Sequence, residues 1–265
     1  MSLSLRASIQ WVAFGVYFSL LSLTLPAIPA TAAVNVIHRW DMGTTDTAKG
    51  DRIGCQVDAP GGYGTPGRHN YSQPDLGTGP KIDLQNSVGV KGPIYSGNAA
   101  PGSTVAIKFT GDAYESLVSA TCIKLIHDFG LQLWVKARDA SDRMVVYNGN
   151  PAKNGWGIIQ RNGHWDGLLG GTAFIKGARI VPGKWVNLAL VVTSKKVKLY
   201  VNGKSYASFQ GGPNPPSPAA GGDGFWIGSQ RRIQTAYCSV DDVKIFTFTP
   251  GGFAARDLAS AARER

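Results

Sequence analysis

The stretch "KVKLYVNGKSYASF", residues 196–209, constrains the fold more than any other part of the chain. Side chains alternate across a β-strand, so Val197, Leu199 and Val201 share one face while Lys198, Tyr200 and Asn202 share the other. Asn202-Gly203 then supplies two residues that tolerate positive φ. A type I′ turn needs that conformation at both central positions, and its twist matches the strands on either side. A β-hairpin with a two-residue loop is therefore expected. An isolated hairpin is marginal in water, so other strands must cover its apolar face.

Those strands are visible. In "FGLQLWVKA" (129–137), Phe129, Leu131, Leu133 and Val135 form one face and Gln132, Trp134 and Lys136 the other. "KWVNLALVV" (184–192) turns Val186, Leu188, Leu190 and Val192 inward, and "STVAIKFTG" (103–111) does the same with Val105, Ile107 and Phe109. "VNVIHRW" (34–40) reads as a first strand, "WGIIQRNG" ends on a second Asn-Gly pair, and "FWIGS" and "CSVDDVKIFTF" close the series. The 34 glycines and 15 prolines punctuate these short runs as they do in antiparallel β proteins. Residues 43–103 carry weak periodicity and read as loops with short strands, and 211–224 as a Pro-rich loop. Only the tail "FAARDLASAARER" has helical composition, so a short C-terminal helix is expected. The expected architecture is all-β: one antiparallel two-sheet sandwich.

The N-terminus reads as a leader. Arg6 precedes the apolar run Trp11 to Leu25, and Ala30-Thr31-Ala32 then provides small residues for cleavage. The run is short for a bilayer span and is broken by Ser and Thr. Residues 1–33 are read as a signal peptide and 34–265 as a single domain, secreted to an extracellular or periplasmic space, with no membrane contact after cleavage. The formal charge of +10 is spread over many segments, the tightest groups being Lys195-Lys196-Lys198 and Arg231-Arg232. Acidic glycans suit such a surface better than nucleic acid, which is not expected as a partner. Cys55, Cys122 and Cys238 permit one disulfide; the pairing is open, with Cys122–Cys238 preferred because both precede core strands.

"FGLQLWVKA", "KWVNLALVV", "KLYVNGK", "FWIGS" and "SVDDVKIF", in that order, resemble the laminin-G-like jelly-roll domains of the concanavalin A-like superfamily, as does "AIKFTGDAYESL". The resemblance covers roughly residues 104–258. It implies a two-sheet jelly-roll sandwich, used in secreted proteins to bind glycans or other proteins.

The superfamily also contains glycoside hydrolases and polysaccharide lyases. Glycoside cleavage generally needs two carboxyl groups across the bond. The chain has two glutamates, Glu115 and Glu264, and lacks the E-x-D-x-x-E of the laminarinase-type relatives. Asp241 and Asp242 are adjacent, so as strand neighbours they face opposite ways. The histidines at 38, 69, 127 and 164 show no metal spacing, and "GYGTPG" (62–67) lacks the strand and helix of a dinucleotide loop. No catalytic residue is assigned. The resemblance implies a structural calcium at Asp241, the position of an aspartate in a closing strand, with Asp41 as its partner if first and last strands are neighbours; calcium takes hard oxygen ligands. For glycan binding, flat aromatic faces beside amides and charges are wanted. Tyr147, Asn154, Trp156, Arg161, Trp165 and Asp166 provide that combination within one segment, and Trp165, just after Asn162-Gly163, is expected on a loop. The expected activity is non-catalytic, lectin-like binding of a glycan or polysaccharide, with a polysaccharide-degrading enzyme or a protein-binding adhesion module as alternatives.

Overall fold

The computed structural model describes residues 34–42, 75–82, 84–86, 93–111, 117–119, 122–170, 173–210, 224–229 and 234–258. The chain divides into two compact units, Met1–Thr31 and Ala32–Arg265, and every described residue belongs to the second. The leader expected over 1–33 and Cys55 lie outside the described residues. No helix among the described residues is long and apolar enough to cross a membrane.

Among the described residues, fifteen strands form two antiparallel sheets. In chain order they are β1 (Val34–Trp40), β2 (Gln85–Asn86), β3 (Ile94–Ser96), β4 (Ala106–Lys108), β5 (Leu117–Ser119), β6 (Phe129–Ala137), β7 (Arg143–Gly149) and β8 (Trp156–Arg161). They continue with β9 (His164–Leu169), β10 (Ala173–Arg179), β11 (Val186–Val192), β12 (Lys196–Val201), β13 (Lys204–Gln210), β14 (Gly224–Ile227) and β15 (Cys238–Phe248). The first sheet runs β13-β12-β11-β6-β15-β4-β3, with β1 also paired to β15; the second runs β10-β9-β8-β7-β14-β5-β2. This is the expected all-β sandwich, consistent with a jelly roll. The final strand pairs with β6, β1 and β4, so the two ends of the domain meet in the middle of the first sheet.

Both Asn-Gly turns form as read. Asn162 and Gly163 have φ of 49° and 74°, Asn202 and Gly203 49° and 75°. Each loop has two residues, closing Arg161 onto His164 and Val201 onto Lys204. The inward faces also follow the alternation: Phe129, Leu131, Leu133 and Val135 join Leu188, Leu190, Val192, Val197 and Leu199 in one buried core with Trp156, Ile158 and Phe225 of the second sheet. The Phe129 and Trp156 rings meet across the sheets at 4.8 Å.

One region differs from expectation. The described residues do not support a C-terminal helix: Ala255-Arg256 is a turn, and only Asp257 and Leu258 have helical geometry before 259–265, which lie outside the described residues. Phe253 and Leu258 instead pack on the outward face of the first sheet with Phe246, Phe248 and Tyr200, and Gln132 Nε2 donates to the Leu258 carbonyl at 3.1 Å. Within 43–103, the segment 75–82 lies along β1, with Leu76, Thr78 and Gly79 amides bonded to the carbonyls of Arg39, Val36 and Ile37. The contact is so close at Gly77 that a Cβ would stand 2.2 Å from the Ile37 carbonyl oxygen. Asp75 locks this segment. Its carboxylate accepts from His38 Nδ1 at 2.6 Å and from the amides of Arg39, Gly77 and Ile82 at 3.0, 2.9 and 3.1 Å.

Cys122 and Cys238 are both buried but are not joined to each other, which corrects the preferred pairing. Cys238 opposes Ala137 in the first sheet, while Ile123 beside Cys122 is bonded through both its backbone groups to the Asn148 amide of the second. Burial, followed by the charge of Asp139, pushes the Cys238 thiol far above its ordinary pKa, so it stays a neutral core group.

Candidate functional site

The segment 147–166 does not form one binding loop. Strand parity divides its residues between the two faces of the second sheet. Trp156 and Trp165 point into the core, at 0 % and 2 % exposure, so neither offers an open ring face. This corrects the loop placement of Trp165: a two-residue turn returns the chain to strand at His164, and Trp165 then pairs with Gln160, another inward residue. Tyr147 points outward but is fully buried, packed with Met144, Ile159 and Leu168, and its hydroxyl donates to the Asn154 carbonyl at 2.7 Å. The Asn154 side chain accepts from the Asn150 amide at 2.9 Å and so shapes the β7–β8 loop.

Arg161 and Asp166 do come together on the outward face. Their Nη1 and Oδ2 atoms are 3.7 Å apart, and Asp166 Oδ1 accepts from the Gly177 amide at 3.2 Å. The Arg161 guanidinium lies 3.9 Å from the centre of the exposed Phe174 ring, a residue the sequence reading did not select.

Described residues line a cavity at one end of the sandwich and another on the outward face of the first sheet. The first, about 220 Å³, opens where β10, the β10–β11 connection and the β12–β13 turn converge. Trp165, Ala178, Val186 and Val201 line it with Trp185, Arg179, Lys184 and Asn202. Trp185 is half-buried, with Lys136 Nζ 4.9 Å from its ring centre. Asn202 is held by the neighbouring β11, its side-chain oxygen accepting from the Asn187 amide at 3.0 Å. An aromatic wall with an amide and two cations is the chemistry expected for saccharide contact, displaced from the loop to the sandwich end. Trp185 escaped the sequence reading because its strand motif marks packing; its position one residue before β11 is what leaves it half-exposed. The second cavity, about 310 Å³, lies on the outward face of the first sheet between β11, β12 and the C-terminal segment. Among the described residues neither lining contains a carboxylate.

The two carboxylates expected to share calcium are near the same seam. Asp41 follows Trp40, whose partner in β15 is Val243. Asp241 is fully buried and accepts from the Ala100 amide at 3.1 Å. A buried carboxylate is a suitable hard donor for calcium. Its neighbour Asp242, at φ 48° in the β15 irregularity, is neutralised by Arg39 Nε at 3.1 Å and Lys244 Nζ at 2.9 Å. Among the described residues no three His, Cys, Asp or Glu side chains assemble as a metal-holding group.

A family model described as the concanavalin A-like lectin/glucanases superfamily, laminin-G type, matches residues 109–249. No curated protein matches the chain. Among solved structures, it is similar to domain 4 of AbnA, an extracellular GH43 arabinanase from Geobacillus stearothermophilus, solved with arabinotriose. The TM-score is 0.53 at 15% identity, covering 87% of this chain and 100% of that one. It is also similar to the binding domain of Paraclostridial Mosquitocidal Protein 1, with TM-score 0.56 at 13% identity over 85% of this chain and 51% of that one. A Trypanosoma rangeli sialidase bound to the inhibitor DANA matches with TM-score 0.51 at 10% identity, over 84% of this chain and 32% of that one. The chain thus spans about half and a third of the last two.

Proposed function

The chain belongs to the concanavalin A-like lectin/glucanases superfamily, and from that premise we propose that it is a secreted, non-catalytic carbohydrate-binding domain. The observation that carries this reading is the cavity at the sandwich end, where Trp185, Asn202, Arg179 and Lys184 surround a space of about 220 Å³ with no carboxylate among the described lining residues. A sugar ring laid on Trp185 would bury its C–H face, and the amide and cations would meet its hydroxyls. The solved complex of the similar arabinanase domain with arabinotriose supports a carbohydrate ligand for this fold.

Trp185→Ala is expected to weaken glycan binding by about 1–3 kcal/mol, the scale of one aromatic anchor. Binding to a panel of purified polysaccharides, read by calorimetry beside a reducing-end assay, tests both halves of the proposal. Release of reducing ends would make the protein a polysaccharide-degrading enzyme; binding to a protein alone would make it an adhesion module.

A structural calcium on Asp241 and Asp41 belongs to the same proposal, supported by their common place at the β1–β15 seam. A ligand bound only to the folded state stabilises it. Chelation is therefore expected to lower the melting temperature, and Asp241→Asn to abolish that difference. Identical melting curves with and without chelator would remove calcium from the reading.

A further inference from the structure

We propose that the lysine-lined cavity on the outward face of the first sheet binds an anionic saccharide, one bearing uronate carboxylates or sulfate groups. Its volume of about 310 Å³ lies at the small end of the roughly 300–1,000 Å³ typical of small-ligand pockets. The alternation of β12 builds one side. Val197 and Leu199 are in the core, so Lys196, Lys198 and Tyr200 project together to the opposite face. Lys198 stands beside Val191 of β11, and Tyr200 beside Ala189. The C-terminal segment builds the other side: the Phe253 ring packs 5.2 Å from Phe248 and edge-on to Tyr200 at 5.7 Å.

Charge decides the ligand class. Among the described residues Lys195, Lys196 and Lys198 line the cavity and no acid does. None of the three is ion-paired with a described residue, whereas Arg39, Arg143, Arg161 and Lys244 each are. Like charges gathered at one site repel, and an anion removes that cost. Lys196 and Lys198 are half-buried, where salt screens less than at the open surface. Burial raises the phenol of Tyr200, so it remains a neutral O–H donor at ordinary pH. The half-buried Phe253 adds ring surface that a bare inorganic anion cannot use but a sugar can.

The inference rests on the carbohydrate reading but uses another sheet and other residues, so the two can fail separately. The test titrates the full chain with an oligogalacturonate, the same oligosaccharide fully methyl-esterified, a sulfated oligosaccharide and inorganic sulfate. The oligogalacturonate or the sulfated oligosaccharide is expected to bind, with affinity falling as salt rises. Whichever binds identifies the preferred anion. The Lys196→Gln/Lys198→Gln double variant is expected to bind that probe about tenfold more weakly, as loss of charge-assisted hydrogen bonds implies. It should melt as the parent does. Equal binding of the esterified and free-acid forms, inorganic sulfate competing as well as the oligosaccharide, or an unaffected double variant would each overturn the inference. Neutral sugars binding while both acidic probes fail would overturn it and leave the Trp185 reading standing. Failure of every saccharide would remove both.

Discussion

Truncating Trp156 to alanine is expected to lower the unfolding free energy by about 3–5 kcal/mol, the range for removing a buried tryptophan from a packed core. Trp156 is fully buried, with its ring 4.8 Å from Phe129 of the opposite sheet and 6.4 Å from Phe225, which itself stacks on Trp40 at 5.0 Å. The four rings join β1, β6, β8 and β14, so the cavity left behind would touch both sheets and could not collapse through movement of one side chain. Chemical denaturation of parent and variant measures the difference. A change below about 1 kcal/mol, the level of ordinary surface substitutions, would contradict this packing.

Asp75→Ala is expected to cost about 3–5 kcal/mol, because removing one partner strands the others in a buried polar site. Asp75 and His38 are 4 % and 3 % exposed, and three backbone amides share the carboxylate. Burial alone would raise the Asp75 pKa. The hydrogen bonds from His38, Arg39, Gly77 and Ile82 outweigh it and hold the group below its ordinary value of 3.8. The lowered native pKa means that the unfolded chain takes up the proton first as pH falls. The stabilisation from Asp75 is therefore complete well above pH 3.8 and is lost as pH falls through the native value. Denaturation midpoints of the parent and Asp75→Asn, followed from neutral to acidic pH, should converge in that acid range. A gap that stayed constant would show that the Asp75 charge does not matter.

Much of the architecture was legible because period-2 alternation and Asn-Gly turns are local. Leu131, Leu133, Leu188, Leu190, Val197 and Leu199 all sit on the face that spacing assigns them. The same rule, counted backward from Leu169 through Gly167, would have placed Trp165 inward; proximity to the turn was the weaker signal. Arg161 and Asp166 were chosen for their chemistry and do meet, but Phe174, which completes that group, comes from β10 and has no local mark. Asp75 was missed for a similar reason. It lies in a Gly- and Pro-rich stretch with little periodicity, more than thirty positions from its partners His38 and Arg39 in β1.

By itself the sequence determined most of the longer strands, where two hairpins turn, and which side chains of those strands share a face, because backbone sterics and the pleat act over a few residues. Lys196, Lys198 and Tyr200 were bound to project together once β12 was a strand. Only the tertiary structure decided what lies opposite them. Phe248 and Phe253 enter that cavity through β15 and the segment beyond it, and Trp185 meets Asn202 only after β11 pairs with β12. Those meetings depend on sheet order and on which outward face a distant segment covers, quantities set by the packing of the whole domain.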